Sequence, residues 1–196
     1  MGKEKLELAL QQQQNANRKM FVPYIMAGDG GLDRLEATIT FLEESGATAI
    51  EVGIPFSDPV ADGPTIQAAG QRALAEGTTL AAALKSLKRF KESRSIPIIL
   101  MTYMNPIFVY GIEKFAQDCE KAGVDGVIIP DVPLEEEDLV APSLRNHSIA
   151  FIRLATLETG ASRRAEICRR SEGFIYAVSV TGTTGTRESH HKDVYA

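Results

Sequence analysis

Glu51 is the residue with the most chemical potential, because of its neighbours. It lies inside the apolar run Ala49-Ile50-Glu51-Val52. Side chains alternate faces along a strand, so Ile50 and Val52 point one way and Glu51 the other, into an interior where an ionised carboxylate is costly without a partner. Two readings follow: a structural carboxylate paired to a buried Arg or Tyr, or an acid/base of raised pKa. The next thirteen residues, Gly53-Ile54-Pro55-Phe56-Ser57-Asp58-Pro59-Val60-Ala61-Asp62-Gly63-Pro64-Thr65, combine three prolines with Asp58 and Asp62. This is a stiff, shaped loop. Taken alone, Asp62 reads as a helix N-cap ahead of Gly63-Pro64-Thr65, and Asp58 as a turn residue. Ser179-Val180-Thr181-Gly182-Thr183-Thr184-Gly185-Thr186 offers backbone N–H groups and hydroxyls for a phosphate cradle or a lid. His190 and His191 would face opposite ways in a strand, and His147 lies in a polar turn and is expected to be solvated. No His/Asp/Glu cluster has metal-ligand spacing, so no metal is expected. No Lys lies inside an apolar run, so a Schiff-base nucleophile is lacking. What remains is carboxylate-driven proton transfer on a phosphorylated ligand.

Positioning these groups falls to a repeated unit. Short β-branched runs begin at residues 20, 48, 96, 126, 150 and 173 (Met20–Met26, Thr48–Val52, Ile96–Met101, Gly126–Pro130, Ala150–Leu154, Gly173–Val178). Amphipathic stretches separate them, as with Leu35, Ile39 and Leu42 before Gly46, Leu80, Leu84 and Leu87, and Phe115 and Cys119 before Gly123. The second interval is too long for one βα unit and predicts an insertion. Lys3–Gln14 places Leu6 and Leu10 on one side of an additional N-terminal helix. The rhythm is that of a parallel sheet covered on both faces, in the α/β class. An open doubly wound sheet is possible, but no Gly-x-Gly-x-x-Gly follows any run. The regular spacing favours a (β/α)8 TIM barrel with about six βα units present in a single domain, 1–196. Such barrels take about 250 residues, so the last two units are expected to be missing and two strand edges unpaired. Function in a barrel lies at the C-terminal strand ends. There the sequence places Gly28-Asp29, Glu51, Tyr103 with Asn105, Asp131, and Tyr176.

Composition narrows the class. Of 196 residues, 44% are apolar and 24% charged, with net charge −5, which fits one folded domain and argues against nucleic-acid binding. Cys119 and Cys168 form no disulfide framework and fit a reducing, cytoplasmic setting. The N-terminus lacks the apolar core of a signal peptide, and no apolar run approaches the roughly 20 residues that span a bilayer. Neither secretion nor membrane insertion is expected.

The string from Glu51 through Asp62 to Gln67 closely resembles the signature of the tryptophan synthase α subunit family. Phe21-Val22-Pro23-Tyr24, Tyr103-Met104-Asn105-Pro106, Asp131-Val132-Pro133 and Ser179–Gly185 are similar to its other loops, in order, from about residue 4 to 196. The resemblance implies a lyase of tryptophan biosynthesis that splits indole-3-glycerol phosphate into indole and glyceraldehyde 3-phosphate. It implies Glu51 and Asp62 as catalytic groups. Tyr24, Met101, Tyr103 and Tyr176 would surround the substrate, Thr184 and Gly185 would act in lid and phosphate contact, and Asp131 and Asn105 in support. No cofactor is implied on this chain. A β subunit carrying pyridoxal phosphate would be the partner in an α2β2 assembly, reached through Pro55 and Asp58. Two further phosphate loops of the family fall outside these residues, so weak substrate binding by the 196-residue chain is expected. Competing expectations are another phosphosugar-binding barrel lyase or isomerase, and an activating, scaffolding subunit with little turnover of its own.

Overall fold

A computed structural model describes residues 2–178. Six strands form one parallel sheet in sequential order: β1 (Tyr24–Met26), β2 (Ile50–Gly53), β3 (Ile98–Met101), β4 (Gly126–Ile128), β5 (Ala150–Thr156) and β6 (Ile175–Val178). Each joins the next through helix, so the sheet is a curled partial TIM barrel, as the spacing predicts. Among the described residues β1 and β6 are each paired on one side only. Ser179–Ala196 lie outside the described residues, and with them Thr184, Gly185, His190 and His191.

Among the described residues eight α-helices accompany the strands: α1 (Gly2–Asn15), α2 (Leu35–Glu44), α3 (Pro64–Ala75), α4 (Leu80–Arg89), α5 (Met104–Tyr110), α6 (Ile112–Ala122), α7 (Ala141–Asn146) and α8 (Ala161–Arg170). The overlong second interval holds two of them, α3 and α4. Leu80, Leu84 and Leu87 of α4 are buried against the outward residues of the sheet, Ile50, Val52, Ile98 and Leu100. Thr79 caps α4 by accepting from the Ala82 N–H at 3.1 Å. Gly123 ends α6 in the left-handed region, φ 69°, which a Cβ would strain. None of these helices is long and apolar enough to cross a membrane.

The inward faces make a second core of Ala49, Ile99, Ile128, Ala150 and Ile152, closed from below by Leu6 and Leu10 of α1. The N-terminal helix is therefore a plug in the barrel floor. Two glycines make its seat: a Cβ on Gly126 would lie 3.3 Å from a Leu6 methyl, and one on Gly173 3.0 Å from it. Lys3 ties the plug down through its N–H to the Ser148 carbonyl at 2.7 Å and its ammonium to Glu172 at 3.0 Å. Leu6→Ala would leave a void that the rigid floor cannot close. The expected loss is about 2–5 kcal/mol in urea unfolding, and a loss under about 1 kcal/mol would mean that α1 does not hold the floor.

His147 differs from expectation. Its ring lies between two carboxylates, Nδ1 2.7 Å from Glu120 Oε2 and Nε2 3.1 Å from Glu113 Oε1. Both pull the imidazole pKa upward, and the cluster fastens α6 to the end of α7. The polar turn hid this because both partners come from another helix.

Candidate active site

The site is built on the C-terminal ends of the strands. In the parallel register Tyr24 of β1 and Ile99 of β3 flank Glu51 of β2. Glu51 is 5% exposed. Among the described residues no cation and no hydrogen-bond donor pairs with its carboxyl. Burial alone pushes its pKa up to about 7. Among the described residues no buried Arg reaches it. Arg153, the buried arginine of β5, is spent on Glu137, with Nε donating at 2.7 Å. An unpaired carboxyl that titrates near neutrality can both give and take a proton under working conditions.

One step further along β2 the strand needs a glycine. A Cβ on Gly53 would lie 1.9 Å from the Tyr24 hydroxyl oxygen. The missing side chain lets the phenol swing across β2, above Glu51. Burial drives the Tyr24 pKa upward, helped by the negative charge of Asp62 and Glu51. Tyr176 of β6 feels Glu51 in the same way, after burial. Met101 ends β3 and packs, half-buried, against the inner core.

The Pro-rich loop brings Asp62 to this place. Gly63, not Asp62, is the N-cap of α3, and Pro64 holds the first turn. Asp62 contributes its carbonyl, which accepts from Gln67 Nε2 at 2.8 Å, and so keeps its carboxyl for other use. That carboxyl is half-buried. Burial raises its pKa, and the nearby Tyr103 hydroxyl opposes the rise. Tyr103 is buried, its ring 5.5 Å from that of Phe56, and its hydroxyl accepts the Ala61 N–H at 3.0 Å.

The remaining sequence candidates are spread around this centre. Asp131, just beyond β4, accepts the Met104 N–H at 3.0 and 3.2 Å and so anchors the start of α5. Asn105 is exposed on the first turn of α5. Pro55 is buried under the loop and Asp58 is exposed on it. Sequence reasoning missed α5, the exposed Phe108 and Val109 that it carries (69% and 79%), and Val60 on the loop (73%). It also missed the clamp between Asp29 and Arg72, two hydrogen bonds of 2.7 Å that tie the end of β1 to α3. Opposite charges 43 residues apart carry no local signal.

Comparison with known proteins places the chain in a family. The family model described as tryptophan synthase alpha chain matches residues 10–196. The tryptophan synthase alpha chain of Oceanobacillus iheyensis is 60% identical over 195 residues, which is all of this chain and 74% of the relative. That of Bacillus cereus is 47% identical over 196 residues, again 74% of its length. Among solved structures, the alpha subunit of Legionella pneumophila superposes with a TM-score of 0.85 at 38% identity, over 89% of this chain and 67% of that one. A Mycobacterium tuberculosis tryptophan synthase chain gives 0.87 at 33%, over 93% and 71%. A chain of the Pyrococcus furiosus α2β2 tryptophan synthase complex gives 0.75 at 39%, over 82% and 68%. With a family model across nearly its whole length and relatives this close, the chain belongs to the tryptophan synthase alpha chain family.

Proposed function

We propose that Glu51 and Asp62 share the cleavage of indole-3-glycerol phosphate, with Glu51 moving the protons and Asp62 holding the charge. The chain is an alpha-chain lyase of tryptophan biosynthesis. Glu51, protonated at the start, delivers its proton to indole C3. The ring then carries positive charge at N1, where the Asp62 carboxylate lowers the energy of the intermediate. Glu51, now ionised, takes the proton of the adjacent glycerol hydroxyl. The carbon–carbon bond breaks, its electron pair returns to the ring, and indole and glyceraldehyde 3-phosphate leave. The acid is thus restored to its starting state. The observation that carries this reading is the buried, unpaired Glu51 carboxyl with its pKa near 7.

Tyr24, Met101, Tyr103 and Tyr176 would enclose the indole, with Thr184 and Gly185 in lid and phosphate contact. We read the 196 residues as one domain on six of a barrel's eight βα units. The alpha-chain family implies a β-subunit partner. In the proposed α2β2 assembly the chain itself needs no cofactor, and pyridoxal phosphate belongs to the β subunit, which receives the indole. The Pro55–Asp58 loop suits that contact, and Val60, Phe108 and Val109 are exposed apolar side chains on that loop and on α5. The unpaired Cys119 and Cys168 suit a cytoplasmic setting.

The test is indole release from indole-3-glycerol phosphate by the full chain, alone and with a β subunit. Release that rises when the β subunit is added is the expected result. Activation of the β subunit with no indole release from either mixture would leave a scaffolding subunit and overturn the lyase reading.

A further inference from the structure

The proposed reaction uses two carboxyl groups held by different elements, Glu51 on β2 and Asp62 on the loop after it. Glu51 is fixed by the sheet, where its register neighbour on β1 is Tyr24. Asp62 is fixed by α3, since the next residue is the N-cap of that helix and Gln67 donates to the Asp62 carbonyl at 2.8 Å. The spacing of the two carboxyls therefore depends on how α3 sits against β1. The buried face of α3 consists of Ala69, Gly70 and Ala73. Such a face brings the helix close to the strand, with Gly70 against the Met26 methyl, but offers no bulky side chain to key its position. One fixed point lies beyond the C-terminal end of α3, where Gly28 makes room for the buried Thr78: a Cβ on Gly28 would lie 1.9 Å from the Thr78 hydroxyl oxygen. The second is the clamp of Arg72 on Asp29, in which Nε and Nη2 each donate at 2.7 Å to a different carboxylate oxygen. We propose that Asp29 and Arg72 are positioning residues for the lyase reaction, which set the orientation of α3 on β1 and thereby the place of the Asp62 carboxyl relative to Glu51. This rests on the roles proposed for Glu51 and Asp62 and extends them to a pair outside the set proposed to enclose the indole.

The geometry makes the pair a lever. α3 has 12 residues. A helix of that length is about 18 Å long, so a tilt of about 3° at the Thr78 end moves the opposite end by about 1 Å. Asp62 adjoins that opposite end. Two points of attachment fix the direction of a helix axis where one does not. A guanidinium bound through two parallel N–H groups is also directional, unlike a lysine ammonium in the same place. The turn that carries Asp29 directly follows β1 and is closed by the Gly31 N–H on the Gly28 carbonyl at 3.0 Å. The Arg72 guanidinium holds the Asp29 carboxyl below its ordinary pKa, so the pair stays ionised at neutral pH. An exposed ion pair contributes little to overall stability. Misplacing a charge-stabilising group, by contrast, is costly in rate. Asp29 and Arg72 therefore matter more to turnover than to folding.

Arg72→Asp and Asp29→Arg, each in the full chain, put like charges at the clamp, and together they restore a pair of opposite charges. Each single variant should lose about 5- to 20-fold in kcat for indole release with little change in KM. Its far-ultraviolet spectrum and urea midpoint should stay close to those of the parent. The double reversal should return kcat to within about threefold of the parent. Asp62→Asn supplies the specific control. In that background Arg72→Asp should cost nothing further, because the carboxylate it positions is already gone. An equal loss from Arg72→Asp with and without the Asp62 carboxylate overturns the inference. So does a single variant with the kcat of the parent, or a double reversal no better than the singles. A loss of kcat that tracks a fallen urea midpoint also overturns it, by making the pair a support for the fold. Full turnover in Asp62→Asn fails the functional reading itself, and this inference falls with it.

Discussion

Glu51→Gln should cost at least ~10² in lyase turnover and, above pH 7, make the protein more stable. Both effects have one cause. The carboxyl is buried without a partner among the described residues, and its pKa stands near 7 against 4.5 in the open chain. Below pH 4.5 it is neutral in the folded and the unfolded state, so it makes no difference to folding. Between 4.5 and 7 the unfolded chain releases the proton and the folded chain keeps it, so stability falls as pH rises. Above 7 the full penalty, about 3 kcal/mol, is in place. Glutamine has the same shape and never ionises. It therefore escapes the penalty but can neither deliver nor accept the proton. Urea unfolding of parent and variant at pH 5 and pH 8 checks the first half, where the advantage of the variant should grow toward that value. Indole release checks the second, and the parent's kcat/KM should decline on the alkaline side of about pH 7 as the acid is lost. A structural, ion-paired Glu51 requires the reverse, with Gln destabilising at pH 8 and turnover within a few fold of the parent.

That Glu51 could be singled out from sequence reflects how strand geometry works. An acid between Ile50 and Val52 in a run of five or so residues must point away from both, and only the interior is left. The strand cores are legible for a different reason, since parallel strands buried on both faces read as continuous apolar runs. Legibility ends where the partner is distant in sequence. Asp62 ahead of Gly63-Pro64 has the local pattern of a capping residue, and only the backbone path shows Gly63 taking that place. Tyr103 and Ala61 lie 42 residues apart, and one half of their contact is a backbone N–H that has no sequence signature. The helix α5 spans seven residues around Pro106, too few for a periodic pattern, and depends on Asp131 from the next loop for its first N–H. Leu6 and Leu10 announce an apolar face on α1, but an apolar stripe does not say which surface it will meet. The seat inside the barrel is defined by what Gly126 and Gly173 lack.

Asp62→Asn should abolish most turnover, by about 10²- to 10³-fold, while leaving the fold and the loop in place. Asparagine is a good test because it retains nearly everything except the charge. The α3 N-terminus does not depend on this side chain, since Gly63 and Pro64 form it and the link to Gln67 uses the Asp62 backbone carbonyl. The Ala61 N–H is held by the Tyr103 hydroxyl and not by the Asp62 carboxyl, so Ala61 should remain protected from exchange. Loss of charge bears only on a species that carries the opposite charge. In the proposed sequence that species is the indole protonated at C3, so the defect should fall on kcat, with KM nearly unchanged. Stability should change in the same sense as for Glu51→Gln but by less, because Asp62 is only half-buried and Tyr103 offsets part of its desolvation. The far-ultraviolet spectrum, Ala61 exchange and indole release, measured on one preparation, separate the possibilities. Lost turnover with an intact loop leaves charge as the missing ingredient. Lost turnover with a released loop would make Asp62 a structural anchor, and full turnover would require another group to stabilise the cationic ring.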